Sequence, residues 1–242
     1  DVTAAATVCA VRGHGEHGVI LRAMTADHGL LVGYVRGGKS RVMRPILIPG
    51  NVIAGRWHGR GDAQLPSLTA ELLHSRAALM QEPLPAAAID WITALTAAAL
   101  PEAQAFPAVD ATLGAVLDAV EHAAAARDWA GVLARYELLL LQYLGFGLSL
   151  DQCVVTGARD DLAYVSPRSA AAVSASAAKG REHQLLPLPA FIRSGEGATL
   201  AQAMDGLRLS GHFIEHRLFE RRRESLMATR ARLMDRLQRA IA

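Results

Sequence analysis

An α+β fold is predicted, with a small β-barrel ahead of a mainly helical region. Three observations predict it. The first ~75 residues hold five short strand-like runs separated by turns rich in Gly, Pro and Asp. From Arg76 onward the chain becomes rich in alanine and leucine and is punctuated by proline. Strands and helices do not alternate along it, which argues against a parallel α/β sheet.

Residues 4–12 form an apolar run of small and β-branched residues that ends in the glycine-rich turn 13–18. Residues 19–25 alternate. Val19, Leu21 and Ala23 lie on one face and Ile20, Arg22 and Met24 on the other, as in a half-buried strand. Asp27-His28-Gly29 turns the chain into a third strand over 30–36. A fourth strand is expected over 52–58, a turn at 59–62 and a fifth strand over 68–74. Five strands without a helical crossover suit a barrel of the five-stranded OB type. Residues 77–80, 86–99 and 108–126 then read as helices. Pro83, Pro85, Pro101 and Pro107 mark starts or linkers, and Asp110 and Asp128 are candidate N-caps. Residues 129–144 carry the strongest helical pattern, with Val132, Tyr136, Leu139, Leu140 and Tyr143 recurring at three- and four-residue spacing. Gly145 follows where a C-cap needs positive φ. Residues 152–179 change character, with strand-like pieces at 154–155 and 163–165 and a Ser/Ala tract at 169–178. Another helix is expected to start over 199–204, and a long basic helix or helix pair to fill 207–242. The expected domains are a barrel over 1–78 and a helical domain over 79–242, with a small insert near 150–185.

The total charge of +2 hides a segregation. Residues 1–80 carry nine Lys/Arg against five Asp/Glu, residues 81–206 seven against fourteen, and residues 207–242 nine against four. Two basic ends around an acidic middle point to a polyanionic partner. The two cysteines, Cys9 and Cys153, make no disulfide framework, and a reducing cytoplasm is expected. No run approaches the roughly 20 apolar residues of a membrane span. The chain begins at Asp1 without methionine, and a processed N-terminus is expected.

The densest basic stretch is 34–45, YVRGGKSRVMRP, with Arg36, Lys39, Arg41 and Arg44 around two adjacent glycines. Residues 33–40, GYVRGGKS, match the phosphate-binding G-x-x-x-x-G-K-[ST] pattern letter for letter. That motif needs a strand ending at the first glycine and a helix starting at the lysine. Here Tyr34-Val35 continues a strand, and Pro45 and Pro49 forbid a long helix. A flexible loop that neutralises nucleic-acid phosphates suits the residues better. Tyr34 and Trp57 are the aromatics available for stacking, and Arg56 adds a cation from the fourth strand. His14-Gly15-Glu16-His17 lacks a third ligand at sensible spacing, and Cys153 lacks the partners of a zinc knuckle, so no metal or other cofactor is expected. Cys153 reads instead as a packed thiol. Asp160-Asp161 read as a solvated turn and no nucleophile elbow is present, so no catalytic residue is assigned. In the C-terminal run, Arg217 and Arg221 share a helical face with Arg208 and His212 one or two turns earlier. That face suits an acidic, apolar peptide or DNA.

These residues resemble those of the RecO recombination-mediator family. Gly15-Glu16, Thr25, His28-Gly29, Arg36-Gly37 and Pro49-Gly50 occupy the places of that family's opening motif. Arg135-Tyr136-Glu137-Leu138 running into Leu144-Gly145-Phe146-Gly147 is a second match, and residues 164–168, YVSPR, a third. The resemblance implies an OB-fold barrel followed by a helical domain with a zinc-finger-like insert. It implies binding of single- and double-stranded DNA, strand annealing, and assistance in loading RecA on strands coated by single-stranded DNA-binding protein. RecR and the acidic tail of that coating protein would be partners. Many members hold zinc through four cysteines. Here Cys153 alone matches, with Thr156, Ser174 and Ala177 at the other places, so the insert is expected to be metal-free and held by packing. Arg135 is implied at the acidic-tail site beside Arg208, His212, Arg217 and Arg221. Two other readings remain: a nucleotide-binding enzyme using residues 33–40, and a protein-only adaptor using the C-terminal basic helix.

Overall fold

Five strands form where the alternating and β-branched runs stand: β1 (Val2–His14), β2 (Gly18–Thr25), β3 (Gly29–Val35), β4 (Val52–His58) and β5 (Ser67–His74). The computed structural model describes residues 1–59, 65–220 and 223–241, so the turn expected over 59–62 lies largely outside the described residues. The strands close into a barrel in the order β1-β2-β3-β5-β4. β4 pairs with Val2 through Thr7 of β1, and β2 with Thr7 through His14. One circuit of the barrel thus returns to β1 displaced along it, which is the stagger that closure of a small barrel demands. A bulge between Val8 and Ala10 bends β1 so that its two halves serve two neighbours.

The barrel interior holds Ala6, Val8, Val19, Leu21, Ala23, Val35, Ile53, Trp57, Leu68 and Ala70. Trp57, expected to stack on bases, is 3% exposed. Its ring lies against Gly55 and Gly33, where an added Cβ would come within 2.3 Å and 3.0 Å of ring atoms. The glycines are bare because the indole occupies the space their side chains would take. This also removes the phosphate-loop reading, because Gly33 sits buried inside β3 and is not at a strand end.

The basic stretch after β3 is ordered, contrary to the flexible loop expected. Arg44 N donates to Ser40 O at 3.0 Å and Leu47 N to Met43 O at 3.0 Å, giving successive helical turns. Their apolar side closes the barrel: Leu47 joins the core, with Met43 and Ile46 packed against it. Asn51 then anchors the end of the stretch. It is fully buried, donates from Nδ2 to Pro45 O and Ile46 O, and accepts at Oδ1 from Arg76 N.

Arg76 is 4% exposed and its charge is matched. Nη1 donates to Gly50 O at 2.7 Å, Nη2 meets Asp118, and Nε lies 2.9 Å from Glu121 Oε2, placed as an ion pair without hydrogen-bond alignment. Both carboxylates come from helix α2 (Pro107–His122), which follows α1 (Pro83–Ala99). α1 packs on β1 and β2. At the other end of β3, Thr25 Oγ1 donates to Gly29 O at 2.8 Å, and Gly29 has φ 68° where any Cβ would strike Gln104 O. Asp110 lies within the first turn of α2 and is not its cap.

The chain packs as two compact units: residues 1–121 with 228–236, and residues 122–227 with 237–242. The barrel, α1 and α2 thus share a unit with the middle of helix α7 (Glu224–Ile241). There Arg230 is buried over the Trp91 ring at 5.6 Å and Arg236 donates to Pro83 O. Burial pushes the Asp90 carboxyl up, and Arg232 and Arg236 oppose that rise.

The second unit is built on α3 (Arg127–Tyr143) and α6 (Leu200–Phe213). They approach closely at Gly206, beside Ala134 and Phe191, and Ser210 Oγ donates to the buried Glu137 carboxylate. Asp128 lies inside α3, where its carboxylate accepts from Ala125 N. α6 opens with a capping box between Thr199 and Gln202. Between the two helices stands the insert. β6 (Leu162–Val165), β7 (Ala172–Ser174) and β8 (Leu186–Pro187) form a small sheet, with α4 (Ala175–Ala178) and then α5 (Ala190–Ser194). The bland Ser/Ala tract thus contains both β7 and α4. Val154 and Val155 form an exposed turn and not the expected strand.

Of the two forms expected for the C-terminal run, the structure takes the helix pair. α6 passes into a π-helical turn (Ile214–Leu218), and Glu220 and Arg223 take positive φ before α7 begins. At the end of α6, His212 stacks on His216 with ring centroids 4.3 Å apart. Burial, then His216, hold the His212 pKa below its ordinary 6.5.

Two stability outcomes are expected. Arg76→Ala leaves Gly50 O without its donor while Asp118 stays solvated and Glu121 keeps His74, and costs about 1–3 kcal/mol; Asn51→Ala costs about 2–3 kcal/mol. Urea titrations measure both, and losses below about 1 kcal/mol at both positions would show that the barrel does not depend on this anchor. As pH falls through 6.5 the unfolded chain takes up the His212 proton before the folded one, so stability is lost on acidification. His212→Asn should flatten the stability–pH curve below that point. A curve as steep as that of the parent protein would contradict it.

Candidate nucleic-acid interface

Strand register decides which side chains share the outer wall of the barrel. Arg12 is paired with Ile20, and Ile20 with Tyr34, so all three face the same way. His14 belongs to the same face, and its ring meets that of Tyr34 edge-on at 5.8 Å. Tyr34 lies over Gly18, where a Cβ would come within 2.3 Å of it. The wall continues through Ser67, bridged to Tyr34, and His58 to Arg56. Arg12, His14, Arg56 and His58 are exposed and Tyr34 half-buried.

Arg12 and His14 are absent from the residues that the sequence singles out. The glycine-rich turn hides the fact that β1 runs on to His14. Alternation alone separates Arg56 from Trp57, since adjacent strand residues point to opposite faces. Arg22 faces the same side as Arg12, but its guanidinium is 3.0 Å from Glu102 Oε1.

The basic stretch joins this wall at the end of β3. Arg36, Arg41 and Arg44 are exposed. Lys39 is different: its Nζ donates to Gly15 O at 2.7 Å and its backbone N to His17 O at 3.1 Å. It ties the stretch to the β1–β2 turn. Beside it a cavity of ≈ 300 Å³ is lined by Val11, Gly13, Val19, Gly38, Lys39, Arg44 and Leu47.

In the second unit, Arg135, Arg208, His212 and Arg217 of the residues expected at an acidic-tail site are described, and each makes separate contacts. Arg135 donates from Nη2 to Phe191 O at 2.9 Å and to Glu196 O, and lies 5.2 Å from the Phe191 ring. It borders a cavity of ≈ 210 Å³ with Leu138, Leu139, Gln142, Leu148, Leu150 and Ile192, none of them on α6. Arg208 pairs with Asp205 at 2.8 Å, and Arg217 donates to Arg168 O. Arg221 lies outside the described residues.

The insert gathers Cys153 with residues at the expected ligand places. Cys153 Sγ accepts from Ser174 N at 3.3 Å and from Ser174 Oγ at 3.5 Å. Burial pushes the thiol up, but hydrogen bonds from Thr156 and Ser174 together outweigh that and bring it to about 6. Val173 and Ala178 complete this small core. Among the described residues, no group of three or more His, Cys, Asp or Glu is placed to hold a metal ion. No helix among them is long and apolar enough to cross a membrane.

Two family models match the chain: Recombination protein O N terminal over residues 1–76, and Recombination protein O C terminal over residues 80–227. The chain is similar to the DNA repair protein RecO of Rhodospirillum rubrum, with 43% identity over 96% of this chain and 94% of the relative. It is also similar to that of Rhodospirillum centenum, with 41% identity over 97% and 94%, and to that of Caulobacter vibrioides, with 39% over 97% and 96%. The chain belongs to the RecO family of DNA repair proteins.

Proposed function

We propose that this chain is a non-catalytic recombination mediator that grips single- and double-stranded DNA on its barrel. It anneals complementary strands and assists RecA loading on strands coated by single-stranded DNA-binding protein, with RecR as a further partner, in the cytoplasm at the nucleoid. The observation that carries this reading is the exposed basic wall of Arg12, His14 and Arg56 continuing into Arg36, Arg41 and Arg44. Annealing needs no proton transfer. It needs phosphate charge screened while two strands are held close, and exposed guanidinium groups supply that by displacing counterions. With Trp57 inside the barrel, Tyr34 and His14 are the aromatic rings on the wall, so backbone contact dominates and sequence preference is weak.

The acidic tail of the coating protein fits the Arg135 cavity better than α6. Arg135 donates to the neutral carbonyls of Phe191 and Glu196 beside leucine and isoleucine walls, whereas Arg208 is paired with the Asp205 carboxylate. An acidic peptide with an apolar end matches both features.

The salt dependence of affinity tests the DNA surface. Arg36→Ala, Arg41→Ala and Arg44→Ala combined should lower the slope of log K against log salt by about 2 for a single strand, at roughly 0.7 for each phosphate left unneutralised. An unchanged slope would remove these residues from the interface. For the tail, Arg135→Ala should weaken binding of a labelled acidic peptide about 5-fold or more, while Arg208→Ala leaves it unchanged. The reverse pattern would move the site to α6.

A further inference from the structure

The cavity between the end of β1 and the basic stretch has a composition that phosphate binding does not use. Its floor is apolar and buried: Val19 is 4% exposed and Leu47 5%. Gly13 and Gly38 leave bare backbone on its walls, and Val11, 36% exposed, borders its opening. Lys39 crosses one side, its Cε close to Gly13 and its Nζ held on Gly15 O. Arg44, an exposed residue, also lines the cavity.

We propose that this cavity is a subsite for one unpaired nucleotide of a single strand, with the base in the apolar slot and its phosphate on Arg44. The proposal rests on the DNA-binding reading above and adds to it a preference for single strands. At ≈ 300 Å³ the slot lies at the small end of ligand pockets, which span about 300–1,000 Å³, and suits one planar ring system. A base held in a duplex is stacked on both faces and paired along its edge, so it enters only after being unstacked and extruded. A free base enters at little cost and gains by burying its faces against Val11, Val19 and Leu47. The backbone walls make no demand on the identity of the base, so no sequence preference follows. An anionic group at the rim with a flat apolar body inside is the chemistry of a nucleotide. Arg44 complements the phosphate, and apart from Lys39 and Arg44 the lining is apolar side chains and glycine backbone.

Three labelled strands of equal length test this by fluorescence anisotropy at fixed salt: a thymidine oligonucleotide, an abasic oligonucleotide with the same phosphates, and a duplex. The protein should bind the base-bearing strand about 5-fold or more tightly than the abasic one. Gly13→Leu should fill the slot. Gly13 has no positive φ, and the nearest atom to an added Cβ is the flexible Lys39 Cε at 3.3 Å, so the strand accepts the side chain. This variant should abolish the preference for bases while abasic and duplex binding stay unchanged. Equal binding of the base-bearing and abasic strands by the parent protein would overturn the proposal. If Gly13→Leu weakens all three alike, Val11→Ser decides: a reduced preference for bases supports the slot, and an undiminished one overturns it. Failure of the DNA-binding reading looks different, since none of the three strands would then bind with a salt slope sensitive to Arg36, Arg41 and Arg44.

Discussion

The barrel unit depends on a guanidinium that water does not reach. Arg76 stands just beyond β5, and its groups reach Gly50 at the end of the basic stretch and the Asp118 and Glu121 carboxylates of α2. Its own backbone N–H is taken by Asn51, whose amide holds the two carbonyls at 45 and 46. A buried cation of this kind adds little net stability over an apolar filling, because desolvation offsets most of the attraction. What it adds is placement. The groups it satisfies lie 26 and more than 40 residues away in sequence, so the end of the plug, the last strand and α2 are fixed in one arrangement.

Fixing the plug also fixes the face opposite to it. In the stretch 36–47 the apolar residues Met43, Ile46 and Leu47 close the barrel, while Arg36, Arg41 and Arg44 project to water. A loose loop would hold the same charges, but each phosphate contact would then carry the entropy of ordering a segment of chain. Hydrogen bonds from Lys39 to the β1–β2 turn and from Asn51 to the plug meet that cost during folding, before any partner arrives. Lys39 therefore holds the basic stretch against the β1–β2 turn.

Much of this architecture is legible in the sequence. All five strands stand where alternation and turn residues place them, because period-two patterning and glycine punctuation are local signals. The family motifs are legible for the same reason: Thr25, His28-Gly29 and Gly145 are turn and cap chemistry, written in adjacent residues. The burial of Trp57 is legible in principle, from its shared parity with Ile53 and Gly55. The partners of Arg76, Arg135 and Arg230 are not, since their carbonyls, carboxylates and rings arrive from distant segments. Charge counts overstate a surface for this reason: part of the basic C-terminal run is engaged by α1. The interruption marked by positive φ at Glu220 and Arg223 carries no local glycine or proline signal, because glutamate and arginine are good helix formers.

Annealing, the activity proposed for this chain, sets two opposed demands: backbones must be held firmly and pairing edges left free. A wall lined with stacking aromatics would meet the first and defeat the second, since each ring removes a base from the strand that must pair. On this barrel the largest aromatic is turned inward and cations occupy the outer wall, so a strand bound there as proposed would keep most of its bases available. The proposed one-base slot would not alter that balance. It would distinguish a single strand from a duplex at the cost of one pairing position, and would release the base once the complementary strand offered pairing and stacking in exchange.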